Sequence, residues 1–169
     1  DSRTGLPNRS SCKEILNNKE IIKEPTACIV FDLNNLKFIN DTMGHSAGDK
    51  LIVNFAALLR SVLPEKDFVG RYGGDEFMVI IHNTDKSEVH EILKRIYMEK
   101  DRLNSNGNEL PIDYACGWAI SDDYKDSTIQ ILFDRADSYM YKNKQLCKEQ
   151  NMHSFHICGD IPETLGDIK

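Results

Sequence analysis

The chain has 169 residues, 40% hydrophobic and 28% charged, with a formal net charge of −6. That length suits one domain able to bury about two thirds of its unfolded surface, and the acidic balance speaks against a nucleic-acid partner held through its phosphates. No apolar run approaches the roughly 18 residues of a membrane span, so no membrane contact is expected of this domain.

Residues 1–9 form a polar, turn-rich opening, followed by a weakly patterned helix over 9–18. Beyond Pro25, the apolar run 27–31 suits a central strand covered on both faces, and it stops at Asp32. A short helix is expected over 36–43, with Gly44 as its stop. Ser46 can cap a second helix over 47–62, whose Leu51, Phe55, Leu58, Leu59 and Val62 keep helical spacing. Pro64 ends it. Two strand-like stretches, 68–72 and 77–82, flank Gly73-Gly74-Asp75-Glu76 and read as a hairpin. A helix over 87–103 presents Val89, Ile92, Leu93 and Ile96 inward, and 110–120 is a strand candidate. The helix over 128–147 carries Ile129, Leu132, Phe133, Ala136 and Met140 on one stripe, and 152–158 is expected to be an edge strand. The order predicts an α/β sandwich of the ferredoxin-like, palm-type kind, with a mixed central sheet of about five strands and helices on both faces. The expected domain runs over 1–158, with a loosely held tail over 159–169. The five cysteines lack paired spacing for zinc or a disulfide framework, which predicts reduced thiols in a cytosolic protein. The chain begins at Asp1 without methionine or signal peptide and is read as part of something longer.

The hairpin is the chemically distinctive stretch. Gly73 and Gly74 are expected to turn the chain with positive φ and to leave the backbone bare, so that a ligand can approach. Asp75 and Glu76 place two carboxylates at the tip. If the hairpin lies beside the strand that ends at Asp32, the acids converge, and a few carboxylates plus substrate phosphates make a Mg²⁺ site. Lys144 continues the stripe of the last helix, with Lys148 one turn on; a lysine so placed commonly snorkels along its apolar stem. Backbone N–H groups of Asn35, Leu36 and Lys37, at a helix start, could cradle phosphates. Ser46-Ala47-Gly48-Asp49 also reads as a capping box, and His45 as a structural residue.

Gly73-Gly74-Asp75-Glu76-Phe77 would occur by chance in such a chain with odds on the order of one in ten thousand, and it resembles the signature of the GGDEF family, the diguanylate cyclases. Three further stretches resemble that family. They are the opening 1–9, with Arg3 where the family has leucine; the segment 31–49, from the strand-end Asp32 through Lys37, Asn40 and Gly44-His45 to Gly48-Asp49; and 135–144 around Ala136-Asp137 and Lys144. The resemblance implies that Asp32, Asp75 and the carbonyl of Leu33 hold Mg²⁺ (Mn²⁺ as a substitute) and that Asp32, Asp75 and Glu76 are catalytic. It implies that Asn40 and Asp49 contact guanine, and that Gly73, Gly74, Asn35, Leu36, Lys37, Lys144 and Lys148 serve the rest of a GTP substrate. Lys148 stands where the family has arginine, so the charge is kept and the bidentate fork is lost.

The implied reaction joins two GTP into cyclic di-GMP, releasing two pyrophosphates, across a homodimer. The implied setting is cytoplasmic, with an upstream sensor domain and a full-length protein that is in some cases membrane-anchored. The alternative is a catalytically silent GTP-binding regulatory or scaffold domain. The family's Arg-x-x-Asp product-inhibition site is incomplete: Asp67 is present, but Pro64 holds the arginine position, so tight feedback through it is not expected.

Overall fold

A computed structural model describes residues 1–107 and 109–149. In chain order the elements are α1 (Arg9–Leu16), β1 (Thr26–Leu33), α2 (Leu36–Met43), α3 (His45–Val62), β2 (Phe68–Arg71), β3 (Glu76–His82), α4 (Lys86–Ser105), β4 (Tyr114–Ile120), a 3₁₀ turn (Ser121–Asp123) and α5 (Ile129–Glu149). The sheet order is β2-β3-β1-β4. Every adjacent pair is antiparallel. The expected mixed sheet gives way to this because each helical crossover skips a strand. β1 and β2 point the same way with β3 between them, and β3 and β4 do so with β1 between them. The α/β sandwich of the ferredoxin-like kind is present, with four strands rather than about five among the described residues. The expected strand over 152–158 and the boundary at 158/159 lie outside the described residues.

Each strand is buried on both faces, and alternation sorts its side chains between two cores. Ile29, Phe31, Leu33, Phe77, Val79, Tyr114 and Trp118 face α2, α3 and α4. Cys28, Val30, Met78, Ile80, Ala115 and Ala119 face α1 and α5. Asp32 and Glu76 continue the second series, so both carboxylates point to the α5 side. Phe31 and Phe77, their neighbours in sequence, lie on the other side against Phe55, with ring centroids 5.8 and 5.0 Å away. Those edge-to-face contacts pin the ends of β1 and β3 from behind the acids.

Two glycines set helix positions. Gly44 ends α2 and begins α3 with φ +91°, a conformation that other residues rarely adopt, so the two helices meet at one residue. α3 thus starts at His45 with no side-chain cap, and the expected cap by Ser46 is not made. Gly117 lets α5 lie directly on β4: a Cβ there would stand 2.2 Å from Ala136 O and Met140 N. Elsewhere side chains do cap. Asn8 accepts from Ser11 N at 3.1 Å on α1, and Asp85 from Glu88 N at 2.8 Å on α4. Cys12, Cys28 and Cys116 are buried free thiols. Cys147, expected to be reduced, is disulfide-bonded.

Candidate active site

Asp32 and Glu76 are register partners across β1 and β3. Like charges directly opposite each other weaken a sheet, and Asp75 adds a third carboxylate: one oxygen from each of the three lies within 4.8 Å of the others. Asp32 is 7% exposed. Its Oδ2 accepts from Lys144 Nζ at 2.9 Å, while its Oδ1 is buried with no partner among the described residues. Burial pushes the Asp32 carboxyl above the usual range; the Lys144 ammonium opposes this and Asp75 reinforces it. Burial also raises Glu76, helped by the negative charges of Asp137, Asp32 and Asp75. Three acids with one unanswered buried oxygen have the donor chemistry of a divalent-cation site.

The hairpin tip is built differently from expectation. Neither Gly73 nor Gly74 lies in the left-handed region. Their carbonyls instead accept from the Arg71 guanidinium, Nε to Gly73 O at 3.2 Å and Nη2 to Gly74 O at 2.9 Å. A Cβ at Gly74 would meet nothing within 4 Å, and one at Gly73 only ordinary contacts with Glu76. Among the described residues, neither backbone conformation nor packing therefore demands glycine at these positions. The tip is fastened to β1 by Leu33 N donating to Asp75 O at 2.8 Å.

Asn40 and Asp49 sit on either side of the α2–α3 junction. A Cβ on Gly48 would fall 1.8 Å from Asn40 Oδ1, so that side chain lies directly over Gly48, beside Asp49. Asp49 pairs with Arg3 at 3.1 Å. Asn35 holds φ +68° and α2 has no side-chain cap, which leaves the N–H groups of its first turn without the partner that α1 and α4 receive. On α5, Lys144 and Lys148 share with Asp32, Glu76 and Asp137 a cleft of about 580 Å³.

The family profile "Diguanylate cyclase, GGDEF domain" matches residues 1–150. The chain belongs to the GGDEF domain family. It is 36% identical over 166 residues to the signaling protein YkoW of Bacillus subtilis, covering 93% of this chain and 20% of that protein. It is 30% identical over 155 residues to the diguanylate cyclase DgcP of Pseudomonas aeruginosa, covering 89% of this chain and 23% of that protein. It thus spans about a fifth of these relatives. A further relative, 34% identical over 122 residues (69% of this chain, 16% of that protein), is the cyclic di-GMP phosphodiesterase NbdA of P. aeruginosa. Among solved structures, the GGDEF domain of DgcB from Caulobacter crescentus, in complex with c-di-GMP, superposes with a TM-score of 0.74 at 28% identity, covering 86% of this chain and 89% of that one.

In this GGDEF domain the hairpin, the end of β1 and α5 converge as the sequence implied, but three features were not read from it. Glu76, not Asp75, is the residue paired with Asp32 in the sheet. Arg71 clasps the tip; the available signal was a cation set just before Tyr72-Gly73-Gly74. Asp137 lines the cleft with its carboxyl raised by burial and by Asp134; its position one turn from Met140 on the inner stripe was the signal. Among the described residues, no helix is long and apolar enough to cross a membrane.

Proposed function

We propose that this GGDEF domain condenses two molecules of GTP into cyclic di-GMP with release of two pyrophosphates. The observation that carries the reading is the buried, unpartnered Oδ1 of Asp32 beside the carboxylates of Asp75 and Glu76. The Lys144 ammonium answers only Oδ2, and burying an ionised carboxylate with its other oxygen unanswered is costly. The group that fits is Mg²⁺, with Mn²⁺ as a substitute, held by Asp32, Asp75 and the carbonyl of Leu33 and completed by substrate phosphates. When bound, it lowers the pKa of the attacking 3′-hydroxyl and offsets charge at the α-phosphate.

The chain's own residues do the rest. Asn40 and Asp49 read guanine: a carboxylate accepts from both N1–H and the 2-amino group, a pair of donors that adenine lacks. The N–H groups of Asn35, Leu36 and Lys37 and the side chains of Lys144 and Lys148 hold the triphosphate. Gly73 and Gly74 let it approach. The 3′-oxygen of one nucleotide forms a bond to the α-phosphorus of the other, the bond to the β-phosphate oxygen breaks, and pyrophosphate leaves. Asp75 or Glu76 takes the hydroxyl proton; the raised carboxyl of Glu76 suits a base. Repeating the step closes the ring. Because the product is two-fold symmetric, two protomers face each other, each bringing one nucleotide. The setting that fits is cytoplasmic, with a sensor domain upstream.

The relative named a phosphodiesterase favours a second reading, a domain that binds GTP and regulates a partner without turnover. A forced dimer incubated with GTP, ATP and Mg²⁺, with products separated by chromatography, distinguishes them. Cyclic di-GMP from GTP alone is expected, and none from Asp75→Ala of unchanged circular dichroism. GTP binding without product would favour the regulator, and an unchanged rate in Asp75→Ala would remove the metal assignment.

A further inference from the structure

Arg3 stands where the GGDEF pattern has leucine, and its Nη1 lies 3.1 Å from Asp49 Oδ1, with the two side chains 47% and 41% exposed. Arg3 has no other acceptor among the described residues. Yet the segment that carries it is built. Thr4 N and Oγ1 donate to Asp1 Oδ2 at 3.2 and 2.7 Å, and Gly5 N donates to Asp1 O at 2.8 Å. Leu6 is buried in the core, and Asp1 pairs with Arg71 at 3.2 Å. The turn therefore presents Arg3 to Asp49 from a fixed base tied to the hairpin clasp. An ion pair this exposed adds little to stability, so stability is a poor reason for the arrangement.

We infer that Arg3 is a third base-reading residue beside Asn40 and Asp49, donating to guanine O6 while Asp49 accepts from the base's N1–H and 2-amino group. The inference rests on the proposed guanine-reading role of Asp49. Along the guanine edge the 2-amino donor, the N1–H donor and the O6 acceptor follow in that order. A carboxylate flanked by a guanidinium offers the complementary series, two acceptors and then a donor. The pairing recorded through Nη1 leaves other N–H groups of the guanidinium for O6, and a carboxylate has lone pairs for both arginine and base. Adenine inverts the pattern: its 6-amino group would face Arg3 donor to donor, and its N1 acceptor would face the carboxylate. Leucine at this position could exclude water but could not read O6.

The test is competition for binding against 3′-deoxy-GTP, which lacks the attacking hydroxyl, using GTP, ATP, inosine triphosphate and 6-thio-GTP on the whole chain with Mg²⁺. 6-Thio-GTP weakens the acceptor at position 6, and inosine triphosphate removes only the 2-amino group. The wild-type protein is expected to favour GTP over 6-thio-GTP by about tenfold, the scale of one charge-assisted hydrogen bond. Arg3→Leu, a change at an exposed position, is expected to bind GTP about tenfold more weakly and to lose that preference while keeping the preference over inosine triphosphate. Asp49→Ala is expected to lose the preference over inosine triphosphate. Tighter GTP binding by Arg3→Leu would make Arg3 a competitor for Asp49 and overturn the inference. So would an unchanged 6-thio ratio. If the wild-type protein binds ATP as well as GTP, the base-reading proposal itself fails, and Arg3's role fails with it.

Discussion

At the scale of single residues, the opposition of Asp32 and Glu76 across two strands is a local cost that the fold keeps, and its titration gives it a measurable consequence. Burial, before any neighbour, holds both carboxyls above the ordinary range. The folded protein therefore keeps those protons to higher pH than the unfolded chain does. As pH rises from the usual carboxyl range through the raised values, the unfolded state has fewer bound protons, and the folded state loses stability. A divalent cation needs the same oxygens deprotonated, so its stabilising effect grows over the same window. Millimolar Mg²⁺ is thus expected to raise the melting temperature by several degrees at about pH 8 and by little at about pH 5. Glu76→Gln removes the like-charge opposition and should raise the stability of the metal-free protein by up to about 1 kcal/mol while shrinking the Mg²⁺ response. Thermal scans at the two pH values check both. A Mg²⁺ response independent of pH would mean that the Asp32 carboxylate does not hold the cation.

The elements themselves were largely legible in the sequence. The apolar stripes of α3, α4 and α5 and the strand content on both sides of Gly73-Gly74 predicted helices and strands close to their observed bounds. Facing was less legible. β1 is buried on both sides, so its composition says nothing about which side Asp32 takes, and the register that opposes it to Glu76 depends on long-range pairing. The hairpin tip departs from expectation for a related reason. Gly-Gly suggests left-handed turning, but here a guanidinium two residues upstream holds the two carbonyls, a side-chain contact that local propensity does not contain. Nor did spacing reveal how close α5 comes to β4. That closeness carries Lys144 to Asp32 and depends on the absence of one methyl group. In Gly117→Ala the new Cβ would press on backbone atoms of α5 at 2.2 Å, which cannot give way as a side-chain end can. The helix must shift, with a loss of about 1–3 kcal/mol and a displaced Lys144. Denaturant unfolding should register the loss, and GTP turnover should fall with it. A fully active variant of wild-type stability would show that α5 is free to move without disturbing the site.

For the whole molecule, whether cyclic di-GMP, the proposed product, can switch the domain off depends on the turn before β2. The turn that holds Pro64 and Asp67 starts β2 at the end away from the hairpin tip, four strand residues or roughly 13 Å from it. In this chain the turn is closed on itself. Asp67 N donates to Pro64 O at 3.0 Å, and the Arg60 guanidinium donates to Pro64 O at 3.1 Å and to Asp67 O at 3.3 Å. Asp67 is only 5% exposed, and burial raises its carboxyl above the usual range. The nearby cation is thus engaged by backbone carbonyls, and the acid faces inward rather than toward a ligand. Two separate obstacles follow, a proline in place of the arginine and a buried aspartate. Pro64→Arg removes only the first. Titration calorimetry with cyclic di-GMP is therefore expected to find no submicromolar binding to the wild-type protein at this turn, and none to Pro64→Arg. Submicromolar binding to Pro64→Arg that Asp67→Ala abolishes would mean that Asp67 turns outward at little cost, and that the proline alone had kept feedback away.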